Sequence, residues 1–496
     1  MPAPPACQPP LPLSPSSQLT PLLPVRFPPF KIPSPPCLSP SVHHSTSTVF
    51  SDISRAQLVE KPAPAPPPPQ PPQDLPPDGG TIAWLTLAGA WMVQFCTFGY
   101  LNAFGVYQDF YTREFLSHHS PSSISWIGSL QLFLMYALAV FVGYAFDTGY
   151  FHHVQIFGSL LHVFSVFMLS LAKPQQYYQV FLSQAVGTGL GVGLLFLPSL
   201  SILSHHFRKR RALATGIVLT GASVGGIVFP ILLNHLLTLP SLGFANAVRI
   251  AGALIVFLLA LANALMRTRL PPKHRPLSAL FSPDAARRIA RDGAYMWSIA
   301  GAFCTNLGLF VPFFYLQLFS ADHAVNATVT TYILAILNAG STLGRTLPVA
   351  LADAFGVYTM LLPAILTSAA LVFALFGATA TPGVIAVAVL FGFSSGAYVS
   401  LIPHLLQTLC TDLSELGVRM GLAFSLVGLS MLVGTPIFGA LLDADGGRSL
   451  VWWTALVFAG VCIVAGFTFM TISRSLFVRR NRRASDQSPP PAAASA

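Results

Sequence analysis

Apolar residues in this chain recur in long, nearly unbroken runs rather than at the 3.6-residue spacing of a helix that faces water on one side. A helix that is apolar all round needs apolar surroundings, and a bilayer core takes roughly 20 such residues per crossing. From Ile82 onward the pattern predicts spans at 82–106, 124–146, 153–172, 177–200, 212–235 and 246–266. Six more are predicted at 293–319, 330–352, 357–377, 383–405, 418–442 and 451–473, joined by short segments that carry Pro, Asn, Asp or a charge.

One long hydrophilic stretch, Arg267 to Asp292, divides the spans six and six. The predicted fold class is therefore an all-α membrane protein with twelve transmembrane helices in two six-helix bundles. The expected organisation is a Pro-rich disordered cytosolic tail at 1–76, a first bundle at 77–266, a cytosolic linker at 267–292, a second bundle at 293–475 and a basic disordered tail at 476–496. A weak internal repeat fits that division. Arg211, Gly221 and Pro230 in span 5 are echoed by Arg419, Gly428 and Pro436 in span 11. Asp147 and Gly149 after span 2 are echoed by Asp353 and Gly356 after span 8. Such parallel halves place a substrate at the membrane midplane between two rocking bundles.

Composition agrees with lipid as the solvent, since 53% of the residues are apolar and 8% charged. The net charge of +10 by itself would suit nucleic acid, but its placement follows the positive-inside rule and no nucleic-acid partner is expected. With both tails cytosolic, one side holds Arg208 to Arg211, Arg267, Arg269, Lys273, Arg275, Arg287, Arg288, Arg291, Arg419, Arg474, Arg479, Arg480, Arg482 and Arg483. The other side holds Arg113, Lys173, Arg249 and Arg448. The expected location is the plasma membrane. No apolar core follows a basic start, so no cleavable signal peptide is expected.

The six cysteines are scattered without CxxC spacing or a histidine partner, so neither a disulfide nor a metal site is expected. The sequon Asn326-Ala327-Thr328 falls in an outer loop, which makes Asn326 a candidate glycosylation site. Gly189/Gly193, Gly221/Gly225, Gly340/Gly344, Gly392/Gly396 and Gly417/Gly421 are each four apart and predict close helix contacts. GASVG at Gly221 to Gly225 imitates a hydrolase elbow, and GTGLGVG at Gly187 to Gly193 a nucleotide loop. Neither follows a strand, so neither supports an enzyme or a nucleotide-driven pump, and no cofactor is expected.

None of the sixteen acids lies in the middle of a predicted span, which leaves a midplane carboxylate relay without a candidate. Proton coupling would then need a histidine such as His162 or His404, an acid at a span end, or a proton carried by the substrate. Arg345 is the one charge well inside a span. It can hold an anionic substrate group through its fork of donors, or serve a structural pairing with Asp353 or backbone carbonyls. Tyr100, Asn102, Asn306, Asn338 and His404 are further candidates for a central cavity, with Gln131, Tyr136, Tyr315 and Tyr398 beside them. Asp147, Arg210, Arg211 and Asp353 are candidates for gating on the cytosolic side.

Three stretches carry a resemblance. PDGGTIAWLTLAGAWMVQFCTFGYLNAFGVYQDFY at Pro77 to Tyr111 resembles the start of span 1 in the monocarboxylate-porter branch of the major facilitator superfamily, particularly its fungal members. FRKRRALATGIVLTGASVGGIVFP at Phe207 to Pro230 is similar to that branch's span 4–5 signature, and GSTLGRTLPVALADAFG at Gly340 to Gly356 to its span 8. GYAFDTG at Gly143 to Gly149 resembles the loop common to the superfamily. The resemblance implies the major facilitator fold and alternating access. Where animal members carry a lysine after the Ala103-Phe104 pair, this chain has Gly105 and Val106, and Ser341 stands where they tend to carry an acid.

The expected function is secondary active or facilitative transport of a small organic, monocarboxylate-like molecule. The alternative is efflux of a fungal secondary metabolite. A third reading is a receptor or scaffold in the membrane whose Pro-rich tail docks an SH3- or WW-type partner.

Overall fold

The computed structural model describes residues 78–207, 211–239, 241–269, 283–410, 416–443 and 450–486. The expected tail at 1–76 and its SH3- or WW-type partner fall outside them. The described residues belong to one compact unit and are helical throughout, apart from short connections.

Among the described residues, eleven helices are long and apolar enough to cross a membrane. They are α1 (Thr81–Phe115), α2 (Pro121–Phe146), α3 (Phe151–Leu169), α4 (Tyr177–His205), α5 (Leu213–Leu237), α6 (Gly243–Leu265), α7 (Gly293–Asp322), α9 (Val357–Ala374), α10 (Thr381–Leu409), α11 (Arg419–Leu442) and α12 (Trp452–Arg482). The twelfth, α8 (Ala327–Phe355), matches α10 at 29 residues but carries Asn338, Ser341, Thr342 and Arg345 along its middle. Those residues make it the most polar crossing. An even number of crossings brings the start of α1 and the end of α12 to one face, called here the terminal face. The last helix continues to Asp486, so the first part of the stretch expected as a disordered tail at 476–496 is helical. A short helix, Pro283–Arg291, lies within the linker expected at 267–292.

Large apolar side chains point outward along these helices, among them Phe141, Phe157, Leu160, Phe257, Leu347 and Trp453. A water-facing surface of this kind would be unstable, whereas lipid accepts it and leaves the backbone satisfied within each helix. Close packing inside relies on small residues, as the glycine spacing predicts. Gly340 and Gly344 of α8 abut the Val389 and Phe393 carbonyls of α10, while Gly392 and Gly396 of α10 abut Leu337 and Ser341 of α8. The two backbones therefore meet along a seam that no side chain at these positions would fit. Gly149 and Gly356, which close the repeated Asp-to-Gly turns, take φ of 92° and 87°, a region that suits glycine.

Helix α1 is not continuous. It breaks at Thr97 (φ −95°, ψ −86°) and again around Asn102, and ends in a wide π-helical turn over Tyr111–Phe115. A second π-helical stretch, Phe181–Thr188, opens the first half of α4. Such irregular turns leave backbone groups free of the regular ladder and are frequent at functional sites.

Candidate functional site

Asn338, Ser341 and Arg345 stand at i, i+3 and i+7 of α8, and all three are buried. The Arg345 Nε donates to Ser341 Oγ at 3.3 Å. Its guanidinium carbon lies 5.1 Å from the centroid of Phe98, which belongs to α1 in the other bundle. Its Nη1 has no hydrogen-bond partner among the described residues. A guanidinium carries five N–H donors, and an unmatched one in a buried place costs about 1–3 kcal/mol. With 1% of its surface exposed, Arg345 can recover that cost only from a group that comes to it.

Behind Phe98 a chain of aromatic rings runs from the first bundle into the second. Phe98 meets Phe196 of α4 edge-on at 5.9 Å, and Tyr136 of α2 meets Phe196 at 5.8 Å and Phe424 of α11 at 5.4 Å. Both bundles thus contribute to one aromatic cage, with the Arg345 charge against its Phe98 face. Towards the other end of α8, Asn338 and Asn102 both border Gly226 of α5. Asn102 Nδ2 donates to the Ala222 carbonyl at 3.3 Å and Asn338 Nδ2 to the Leu334 carbonyl at 2.9 Å, while Asn338 Oδ1 has no partner among the described residues.

Comparison with known proteins then decides the family. A profile of the Major Facilitator Superfamily matches residues 83–410. The chain belongs to the Major Facilitator Superfamily. It is 37% identical over 406 residues to "MFS-type transporter 1" of Ophiocordyceps sp. (strain BCC 1869), covering 81% of this chain and 88% of that one. It is 39% identical over 371 residues to the aspyridones efflux protein of Emericella nidulans, covering 75% of this chain and 74% of that one. Among solved structures it resembles the nucleoside transporter NupG, with a TM-score of 0.61 at 16% identity over 78% of this chain and 99% of that one. This superfamily member is accordingly a multi-pass membrane transporter with the two-bundle fold.

The candidate residues of this superfamily member divide into groups. Arg345, Asn102 and Asn338 share the interface between the bundles. Tyr100 is not brought to Arg345. It turns into the first bundle, where its hydroxyl bonds that of Tyr107 at 2.7 Å and its ring packs on His162 and Phe229. Asn306 of α7 turns into the second bundle and donates to Tyr398 Oη at 2.6 Å. His404 is half-buried, six residues beyond Tyr398 along α10. Arg210 lies outside the described residues, as do the side chains of Asp147, Arg211 and Asp353, so the expected gate pairings on the terminal face have no described geometry. Asn326 is exposed in the α7–α8 connection, and its Oδ1 accepts the Thr328 and Val329 N–H groups at 2.9 and 3.4 Å to cap α8.

A seal at the face opposite the termini completes the superfamily architecture. Gln317 of α7 donates to Asp109 Oδ2 of α1 and to Asn234 Oδ1 of α5, both at 3.1 Å. Asn234 in turn donates to the Thr331 carbonyl of α8 at 2.7 Å. Phe104 packs at a tilt on Phe314, ring centroids 4.8 Å apart, Tyr315 bonds Ser125, and Ser122 donates to the Pro436 carbonyl at 2.8 Å. Sequence reading missed Asp109, Gln317 and Asn234 as a group, and missed Phe98, Phe196 and Phe424.

Proposed function

We propose that this transporter exports a small organic anion with a flat or apolar body, a secondary metabolite of the producing cell, from the terminal face to the opposite face. The observation that carries this reading is Arg345: a buried cation with an unmatched donor, held against Phe98, the first of a chain of rings that runs through both bundles. Guanidinium binds a carboxylate or enolate through paired N–H groups, and the surrounding rings take up an apolar body at the same time. The names of relatives add weight, since the aspyridones efflux protein is a metabolite exporter by its name.

The terminal face is the cytosolic one in this reading, and the membrane is the plasma membrane. The basic residues Arg267, Arg269, Arg474 and Arg479 all fall on the terminal side. Asn102 and Asn338 continue the path from the cage, and Asp147, Arg211 and Asp353 act at the cytosolic gate.

Transport through a monocarboxylate-type mechanism is the second reading, and the position of Arg345 in the GSTLGRTLP stretch favours it. One experiment separates the two. Sealed vesicles bearing wild type, Arg345→Lys or Arg345→Ala are loaded with lactate, pyruvate or hydrophobic aromatic acids, and flux is followed. Export of the aromatic acids that falls more than tenfold in Arg345→Ala supports the export reading. Flux of lactate and pyruvate alone replaces it with the monocarboxylate reading, and flux that ignores Arg345 removes the site.

A further inference from the structure

Helix α3 lies towards the outside of the first bundle, yet one of its faces is polar and fully enclosed. Gln155, Ser159, His162 and Ser165 follow one another at helical spacing, and all four are buried. Neither polar atom of the Gln155 side chain has a partner among the described residues, and Asn263 of α6 donates to Ser159 Oγ at 2.9 Å. A peripheral membrane helix gains nothing in packing from such a face, because buried polar groups in lipid are expensive. The substrate cage does not use it.

His162 is the titratable member. Its Nε2 lies 3.1 Å from the Cys96 carbonyl. A carbonyl oxygen can only accept, so Nε2 carries the hydrogen, and Nδ1 keeps its lone pair. Nδ1 has no partner among the described residues, and the residue has no exposed surface. Cys96 is the last residue before the break of α1 at Thr97, and Phe98, the ring beneath Arg345, follows two residues later. The imidazole therefore holds the hinge of the helix that closes over the cage.

We infer that His162 is a proton-binding site: its Nδ1 takes up one proton, and the charge acts through the Nε2–H bond to Cys96 on the α1 hinge. This rests on the export reading in one respect, that the hinge serves transport; the proton would be the coupling ion. Tyr100 sets its ring edge-to-face with the imidazole at 5.9 Å, and its hydroxyl bonds Tyr107, beside which Tyr111 donates to Gln184 Oε1 at 2.7 Å. These hydroxyls form a polar column from the sealed face towards His162. Other groups packed about the ring are neutral, with the backbone of His162 against Gly191 of α4. The charged residues and histidines of the neighbouring helices stand at the span ends, Asp109, Arg113 and Glu114 on α1, Asp147 on α2, His205 on α4 and Arg249 on α6, the last bonded to Ser170, while the weak acids nearer the ring are Cys96, Tyr100 and Tyr107 of α1.

The test uses the full chain in proteoliposomes on a solid-supported membrane, with protons as the only probe. A jump from about pH 8 to about pH 4 runs through the ordinary imidazole range and below it. Wild type is expected to give a transient charge displacement that His162→Gln loses and His153→Gln, an exposed histidine on the same helix, retains. An absent wild-type signal, or an equal one in His162→Gln, overturns the assignment. If His162→Gln fails to fold, Tyr100→Phe keeps the ring and removes the link to Tyr107; the displacement should slow severalfold, and an unchanged rate overturns the inference. Displacement that needs His162 in a protein moving no solute from the panel would sink the export reading and leave this one, while solute export without any displacement does the reverse.

Discussion

Arg345 of the second bundle lies over the face of Phe98 of the first, 5.1 Å from its centroid, so the charge that would meet a substrate is already in contact with the helix that closes over it. Cation–π contacts of a desolvated guanidinium are worth about 2 kcal/mol. Phe98→Leu keeps most of the volume and removes the ring. The half-saturation concentration for an exported acid should rise roughly tenfold, since 1.4 kcal/mol is one factor of ten. Flux assays at several substrate concentrations check this, and an unchanged half-saturation value would place Phe98 outside the site.

Gln317 holds two partners across the seal, Asp109 and Asn234. Gln317→Leu leaves Asn234 Oδ1 unmatched and Asp109 Oδ2 with the Arg113 guanidinium as its remaining partner, and should weaken closure by about 1–3 kcal/mol. A cysteine introduced by Ser129→Cys, about one turn further along α2 than the seal residue Ser125, reports the change. Its alkylation by a membrane-impermeant maleimide should accelerate at least fivefold when Gln317→Leu is added.

Asp292 joins three helices on the terminal face. Its Oδ2 accepts from Arg419 at 2.9 Å and from Arg480 at 3.3 Å, and its Oδ1 caps α7 through the Tyr295 N–H at 3.3 Å. Losing one partner of a largely buried ion pair costs about 3 kcal/mol. Asp292→Ala should lower the melting temperature in detergent by several degrees. A conservative surface change, Lys173→Gln, should leave it where it is.

Asn326 has two separable roles open to it. Thr328→Ala destroys the sequon and keeps the cap of α8, whereas Asn326→Gln destroys both. If the α7–α8 connection faces outward in the cell, glycosidase treatment should shift the wild type on a gel and neither variant. The cap is worth about 1 kcal/mol, so only Asn326→Gln should also melt earlier.

Arg345 was legible in the sequence because a charge inside an apolar run stands alone. Its surroundings were not. The chain has 38 phenylalanines, and nothing local marks Phe98, Phe196 and Phe424 as those that converge. Tyr100 could have been set aside on helical geometry, for at 3.6 residues per turn it faces away from Phe98 and Asn102, which share a side. Asp109 was read as an acid near a span end, since the apolar run fades near residue 106. The helix in fact continues to Phe115, carried by aromatic packing of Phe110, Tyr111 and Phe115 on Phe244, and takes the carboxylate into the seal. The α8–α10 pairing, by contrast, was written in the spacing of its glycines.

That glycine seam divides the protein into parts that can and cannot change over generations. Four positions of α8 and α10 tolerate no added atom, because each faces a backbone of the opposite helix. Arg345 and Tyr398 ride on those two helices and inherit their fixed spacing. The rings around them, Phe98, Phe196, Tyr136 and Phe424, belong to helices outside the seam and can be exchanged without moving it. A lineage of such transporters can therefore acquire new cargo by repainting the walls while the frame that holds the charge stays the same.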